Sequence, residues 1–554
     1  MRSWAALLVV VGVAVWGASL KNGFVYDDDG LVVQNAALRS LSPLSKFLDP
    51  ASQSSSSQAN RFSYRPLTTF VHAAAFQVNG LDPRVFHGLS IAFHIANALV
   101  LFGLMILLSR SATTAGIVSA VFLLHPIQAE SVAWVGAFSN PLAGFFVLMS
   151  LVLFLGSRET GRAYGASLAC FVLALLAKES SIALPLLVAL LVLFQRESVE
   201  PKPALCWKPL APYFVIALAY GLLNAFMRGQ AGQTGYLAGG FWPQMLTMTK
   251  GFAYYVKMAL LPHPLRIDYL FPFKTALDAE VLLCAGLLAG LLYSGWRFWK
   301  KRSLAGLGIL FFFASLAPVS NIVPINTLIN ERYLYLAIIG YGMVVSVVAE
   351  EVQKRWAGLE QGEAGKGHGE VGQGHGWVGK DQGWVWLGVV LGVFYLCLTV
   401  GRIRDWRDSY SLAKADLAVV PESSRLRLVM GRGFWDRGEW HKAGEQYLLS
   451  LAGGETSEAC LGLGSAYIRL QDFDQAVSWL SRAAVLEPDS AAIRNNLSVA
   501  YASKGDMAAA IQQLALLLRS HPGDPKANHN LMVFQAALEV EKERKPARRG
   551  LSKK

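Results

Sequence analysis

The sequence predicts an all-α protein, a polytopic membrane helix bundle of about eleven spans followed by a C-terminal solenoid of helical repeats. Three observations predict it. Of the 554 residues, 53% are hydrophobic and only 16% charged, against roughly a quarter charged in ordinary soluble domains. Apolar runs recur at about the 20 residues a helix needs to cross a bilayer core. Beyond residue 402 the composition becomes that of a soluble helical domain and a 34-residue period appears.

In chain order the apolar runs occupy 4–20, 86–108, 113–133, 138–156, 164–177, 181–194, 209–227, 280–299, 303–323, 330–349 and 384–401. The runs 164–177 and 181–194 are short, which predicts tilted or broken helices. The stretch MLTMTKGFAYYVKMALLP, within 244–262, predicts a re-entrant or interfacial helix, because a full span there breaks the alternation of loop charges. Arg2, Arg110, Arg158 with Arg162, Arg196 with Lys202 and Lys208, the cluster Arg297–Lys300–Lys301–Arg302, and Lys354–Arg355 fall on alternate connections. Retention of Lys and Arg on the cytoplasmic side then puts the N-terminus inside and the acidic loop 21–85 outside. An odd number of spans puts the C-terminal region outside too. The first run also fits a cleaved signal peptide, but cleavage would detach the acidic loop from its anchor.

Cys170, Cys206, Cys284, Cys397 and Cys460 are scattered, with neither a disulfide framework nor metal-ligand spacing. The net charge of +12 comes from cytoplasmic loops and the basic tail 541–554, EKERKPARRGLSKK. That tail suits membrane lipids or water, and nucleic acid is not an expected partner. ASQSSSSQAN at 51–60 reads as a flexible segment, and so does the glycine-rich cytoplasmic loop 357–383, whose His368 and His375 read as part of a linker rather than a metal site.

From 457 two segments align at a spacing of 34, pairing Leu463 with Leu497, Tyr467 with Tyr501, Ala476 with Ala510 and Pro488 with Pro522. That is the tetratricopeptide period. A less regular copy before them carries Gly431, Gly438 and Ala443 in the equivalent places. The domains expected are therefore a membrane domain 1–401, a tetratricopeptide (TPR) domain 402–540 and the tail. Stacked repeats form a concave groove for a peptide-like ligand.

Charged residues gather at the predicted outer boundary. Asp27, Asp28 and Asp29 follow the first run; Arg65 stands in YRP; His125 and Glu130 stand in HPIQAESVAWVGAFSN; Lys178 and Glu179 in AKESS; Glu331 and Arg332 in NERYLYLA. Charges at that depth are costly unless they pair or line an aqueous cavity. Carboxylates set among guanidinium and ammonium groups suit a substrate with a phosphate and a hydroxyl nucleophile. The cations hold the phosphate and an Asp takes the hydroxyl proton.

The ordered motifs FVYDD, YRPLT, FHGLSIAFH, LLHPIQAESVAWV, LLAKESS, NERYLYL and RDWRDSYSLAKADLAVVPESSRLRLVMG resemble the transmembrane and tetratricopeptide-repeat-containing O-mannosyltransferases of the GT-C glycosyltransferase superfamily. The resemblance implies a GT-C-like membrane domain and transfer of a sugar, mannose or another hexose, from a polyprenyl-phosphate carrier to an acceptor hydroxyl on the outer side. It implies catalytic roles for Asp27 and Asp28, one of them the general base, with Asp29 outside the pair, and for Glu130 at the acceptor site or at a metal. Arg65, Lys178 and Arg332 balance the phosphate, and His125 and Glu179 join them as substrate-binding residues. A divalent metal, magnesium or manganese, stays open as a cofactor, and a protein or peptide is the acceptor expected in the TPR groove. The placement expected is a bacterial inner membrane, with site and repeats on the periplasmic side. Ser90 stands where the family suggests an amide, and His87 and His94 read as buried helix-pairing histidines. A non-enzymatic TPR scaffold and a polymerase or ligase of lipid-linked oligosaccharide are the alternatives. The first predicts that Asp27, Asp28 and Arg332 are replaceable, and the second needs an oligosaccharide-lipid donor.

Overall fold

The computed structural model describes residues 1–49, 64–156, 161–197, 207–230, 235–364 and 383–551, and every regular element among them is helical. The serine-rich stretch 51–60, Arg158, Lys202, Cys206, His368 and His375 lie outside the described residues. The chain divides into two compact units, Met1–Arg407 and Asp408–Lys554.

The first unit opens with α1 (Arg2–Trp16), α2 (Pro66–Asn79), α3 (Pro83–Ser109) and α4 (Ala112–Leu124). The chain then turns through α5 (Ala129–Ala133) into α6 (Ser139–Gly156), α7 (Gly161–Ala177), α8 (Leu184–Glu197) and α9 (Ala211–Gln230). It ends with α10 (Phe241–Leu260), α11 (Ala279–Lys300), α12 (Leu304–Leu316), α13 (Ala337–Ala364) and α14 (Gly383–Asp405). Starts follow local chemistry. Asp82 accepts from Arg84 N ahead of Pro83 in the first turn of α3, Ser111 caps α4, and Asp278 caps α11 through Val281 N.

Among the described residues five helical stretches are long and apolar enough to cross a membrane: Arg2–Lys21, Pro83–Ser109, Val135–Gly156, Glu179–Arg196 and Ala279–Lys300. A bent pair, Ala112–Leu124 with Pro126–Ala133, makes a sixth if taken as one span, and Gly161–Ala177, Ala211–Met227 and Leu304–Val319 are shorter apolar helices. Three expected runs are interrupted. The run 113–133 bends by 50° at Pro126, a residue with no N–H to continue the ladder. The run 303–323 leaves the α-helix after Leu316, and 330–349 begins as a 3-10 turn over Glu331–Leu334 before α13 starts. The lysine-bearing α10 is not among the helices long and apolar enough to cross.

Close crossings use small residues, as helix contacts in a bilayer favour. A Cβ on Gly308 of α12 would lie 2.5 Å from the carbonyl oxygen of Gly340 on α13. The polar knots are long-range. His94 on α3 bonds Tyr335 Oη at 2.9 Å through Nδ1 and Leu123 O at 3.2 Å through Nε2, while Asn97 donates to Tyr335 Oη (2.8 Å) and to Pro141 O (2.9 Å). His94 is therefore the helix-pairing residue it reads as in the sequence.

The second unit comprises α15 (Ser409–Leu417), α16 (Ser424–Asp436), α17 (Trp440–Ser450), α18 (Ser457–Arg469), α19 (Phe473–Leu486), α20 (Ala491–Lys504), α21 (Met507–Ser520) and α22 (Pro525–Leu551). Its hairpins repeat one recipe. Gly431 admits the Tyr447 ring and Gly464 admits Leu480, where an added Cβ would lie 2.5 and 2.4 Å from side-chain atoms. Asp472 and Asp506 cap the second helix of successive pairs. Residues 402–407, which the change of composition assigns to this domain, belong to the first unit instead. The physical reason is hydrogen bonding: Ile403 O accepts from Asn22 Nδ2 (3.2 Å) and Arg407 O from Gly23 N (3.0 Å).

Candidate active site

Four segments meet at the site: the loop after α1, the break between α4 and α6, the α7–α8 junction and the turn before α13. The loop carries the acidic pair on a constrained backbone. Tyr26 holds φ at +60°, a left-handed conformation uncommon in a bulky residue and characteristic of strained functional loops. Asp28 is 1% exposed, and its carboxylate accepts from Val25 N (2.9 Å) and Gly136 N (2.7 Å). Burial pushes its carboxyl up to about 7, against the pull of those two N–H donors. Asp27 is half-buried, and its charge acts on Arg332. Asp29 accepts from Gln34 Nε2 (3.1 Å), apart from the pair.

The break supplies Glu130, 1% exposed, which accepts from the Arg332 backbone N at 2.7 Å and from the Arg332 guanidinium. Its carboxylate is occupied in holding Arg332. His125 is fully buried behind the break, with Nε2 on Ala259 O (3.0 Å) and Nδ1 accepting from Ile127 N (3.2 Å). Both ring nitrogens are thereby used, so His125 joins the break to the end of α10 and presents neither to a substrate.

Arg65, before α2, is gripped by Glu179 in a two-point pair, Nε to Oε2 at 3.0 Å and Nη2 to Oε1 at 2.7 Å. Glu179 thus neutralises Arg65. Lys178 is 5% exposed and donates to Asn140 Oδ1. Burial, reinforced by the Arg65 charge, pushes it down to about 7. Lys178, Asn140 and Arg332 line a cavity together with Ser181, Tyr333 and the apolar Val147 and Leu187.

Seven consecutive residues, Trp134–Asn140, touch all four charged centres. Trp134 lies under the Arg332 guanidinium (5.4 Å to the ring centroid), Gly136 N bonds Asp28, Ser139 Oγ faces Arg65 Nη1 at 3.5 Å, and Asn140 holds Lys178. This hub was not singled out in the sequence, because single Trp, Ser and Asn residues carry no spacing signal. The motif WVGAFSN marked the place without the roles. Among the described residues no group of three or more His, Cys, Asp or Glu side chains gathers as a metal would need, and Glu130 and Asp28 are committed to an arginine and to backbone N–H groups.

A tetratricopeptide repeat family model matches residues 461–525. A protein O-mannosyl-transferase of Caenorhabditis elegans is 22% identical over 80% of this chain and 61% of its own length, and TMTC4 of Homo sapiens is 24% identical over 78% and 64%. Its relatives are protein O-mannosyl-transferases. The resemblance seen in the motifs therefore extends along most of the chain, which spans somewhat under two thirds of the length of these relatives. A shorter match, 30% identical over 27% of this chain and 17% of the other, is TMTC3 of Homo sapiens. Among solved structures, ArnT from Cupriavidus metallidurans bound to undecaprenyl phosphate overlays on 89% of this chain and 81% of its own, with 16% identity and a TM-score of 0.40. YrrB, a TPR protein with an unusual peptide-binding site, covers 28% of this chain and 74% of its own, with 18% identity and a TM-score of 0.22. Both overlays are loose.

Proposed function

We propose that this protein is a membrane glycosyltransferase that moves a sugar from a polyprenyl-phosphate carrier to an acceptor hydroxyl on the outer side of a bacterial inner membrane. One observation carries the reading: Asp27, a half-buried carboxylate of the acidic loop, stands within electrostatic reach of Arg332. With Lys178, Arg332 lines a cavity whose walls also include apolar side chains such as Val147 and Leu187. Two cations on one cavity suit the phosphate of a lipid-linked donor. The relatives' names support mannose as the sugar and a protein hydroxyl as the acceptor, and the tetratricopeptide repeats suit a peptide-like ligand.

In the reaction the acceptor oxygen attacks the anomeric carbon as Asp27 takes its proton. The bond from that carbon to the phosphate oxygen breaks, and the lipid phosphate leaves with the electron pair beside Lys178 and Arg332. Attack opposite the leaving group inverts the anomeric centre. Asp28 fixes the loop through Val25 and Gly136, and Glu130 fixes Arg332. Preorganised charge of this kind supplies the stabilisation that a good leaving group still needs. No step is assigned to a divalent metal.

The test is transfer of radiolabelled mannose from polyprenyl-phosphate-mannose to envelope protein, in membranes holding equal amounts of wild type or Asp27→Asn. The variant is expected to lose about a thousandfold in rate. Equal labelling by both proteins, above an empty-membrane control, removes Asp27 from the mechanism. No labelling by wild type removes this donor.

A further inference from the structure

The last turn of α14 reaches into the site. Trp406 is fully buried and stacks on Trp134, ring centroids 5.6 Å apart and planes 14° from parallel. On its other contacts, Trp134 meets Tyr26 (5.4 Å) and Arg332 (5.4 Å). One turn earlier, Arg402, its side chain 4% exposed, pairs at 3.6 Å with fully buried Glu331, the residue before Arg332. Glu331 also accepts from Tyr269 Oη (2.9 Å) and from Arg266 N. The carbonyls of Ile403 and Arg407 hold Asn22 and Gly23, just before the acidic pair. Higher on the same helix, Thr399 donates to Leu124 O at 2.7 Å, a carbonyl left without its helical partner by the break at Pro126.

The geometry points to the end of α14 as the template on which the outer loops assemble, with Trp406 and Arg402 as positioning residues that seat Asp28 and Arg332 without touching substrate. Three loops far apart in sequence, 22–28, 134–136 and 331–332, each bond or stack on this one stretch. A buried helix end that three loops share sets their mutual spacing, and spacing errors of about 1 Å cost about a hundredfold in rate. Among the described residues the indole Nε1 of Trp406 has no acceptor, so phenylalanine keeps the stacking face and strands no partner there. An effect on sugar transfer rests on the glycosyltransferase reading, whereas the seating of the loops does not.

The experiment uses the full-length protein in nanodiscs, comparing wild type with Trp406→Ala, Trp406→Phe and Asn22→Ala by amide hydrogen exchange and by mannose transfer. In Trp406→Ala, peptides covering 22–28 and 134–137 exchange at least about tenfold faster while α3 and α12 peptides stay unchanged. Trp406→Phe stays within about threefold of wild type, and Asn22→Ala opens 22–28 alone by at least about threefold. Transfer by Trp406→Ala falls about thirtyfold in kcat with KM within about threefold, and phenylalanine restores it. Unchanged exchange in both loops, or acceleration spread equally over α3 and α12, overturns the proposal. So does a phenylalanine variant no better than alanine. If Trp406→Ala is not recovered folded, the Asn22→Ala and Trp406→Phe results decide. If wild type transfers no mannose, the function reading fails and the exchange data still decide the positioning role.

Discussion

In the repeat unit, Arg427 and Arg494 each reach a glutamine 19 positions along the chain, Gln446 and Gln513. In the membrane unit, Glu130 meets Arg332 from 202 positions away, and His94 meets Tyr335 from 241. The two units thus place polar groups by different rules. The repeat unit uses the same local bond in two of its hairpins and leaves most charges in water. The membrane unit buries single, unrepeated pairs, where each partner is indispensable to the other because no water replaces it. Loss of one member should therefore be severe in the first unit and mild in the second, unless it touches the small-to-large contacts that close each hairpin.

The most damaging single change expected is Glu130→Gln, which leaves Arg332 without its counter-charge. Removing one partner of a buried pair costs about 3–5 kcal/mol, and transfer should become undetectable. Adding Arg332→Gln should recover much of the thermal stability and none of the activity, and a double variant no more stable than Glu130→Gln would show that the pair is not the source of the loss. Next comes Gly464→Ala, whose Cβ would lie 2.4 Å from Leu480 Cγ. Overpacking of that kind costs about 1–3 kcal/mol. Calorimetry should show an earlier melt of the repeat unit, while polyprenyl-phosphate binding stays at the wild-type value.

A smaller effect should appear with pH. Lys178 is pushed down to about 7, so it is a cation below that pH and neutral above it. Affinity for polyprenyl phosphate should weaken by up to about tenfold as pH rises from 6 to 8.5, and Lys178→Arg should flatten the profile. A wild-type profile already flat over that range would remove Lys178 from the phosphate site. The smallest effect belongs to the surface pair Lys504–Asp474. Exposed pairs contribute little, and Lys504→Ala should leave the melting temperature of the repeat unit unchanged within error.

The same contrast explains what the sequence disclosed. The repeats were legible because a 34-residue period pairs like residues in the two later copies, as Leu463 with Leu497 and Ala476 with Ala510. The membrane helices were legible as apolar runs, though not their interruptions: the backbone cost of Pro126 and the turn at Glu331–Leu334 has no counterpart in hydrophobicity. The charged site residues stood out because acids and bases at a membrane boundary are conspicuous, yet charge alone does not tell a pairing partner from a reactive group. In the structure Glu130 bonds Arg332, Glu179 bonds Arg65, Asp28 bonds Val25 N and Gly136 N, and His125 bonds the end of α10. Trp134, Asn140 and Trp406, which organise the charges, are ordinary residues whose meaning exists only in three dimensions.

The bond from Gly23 to Arg407 also says where this chain can be cut and rejoined. An exchange of repeat arrays between two such proteins seamed at residue 401, where the composition changes, would bring a foreign Arg402–Arg407 to native loops, and Trp134 would meet whatever side chain the donor carries at position 406. Seamed after Arg407, the same exchange keeps Asn22, Gly23 and Trp134 with their original partners Ile403, Arg407 and Trp406. The natural unit of recombination is thus six residues longer than the hydrophobic sequence suggests, from 401 to 407.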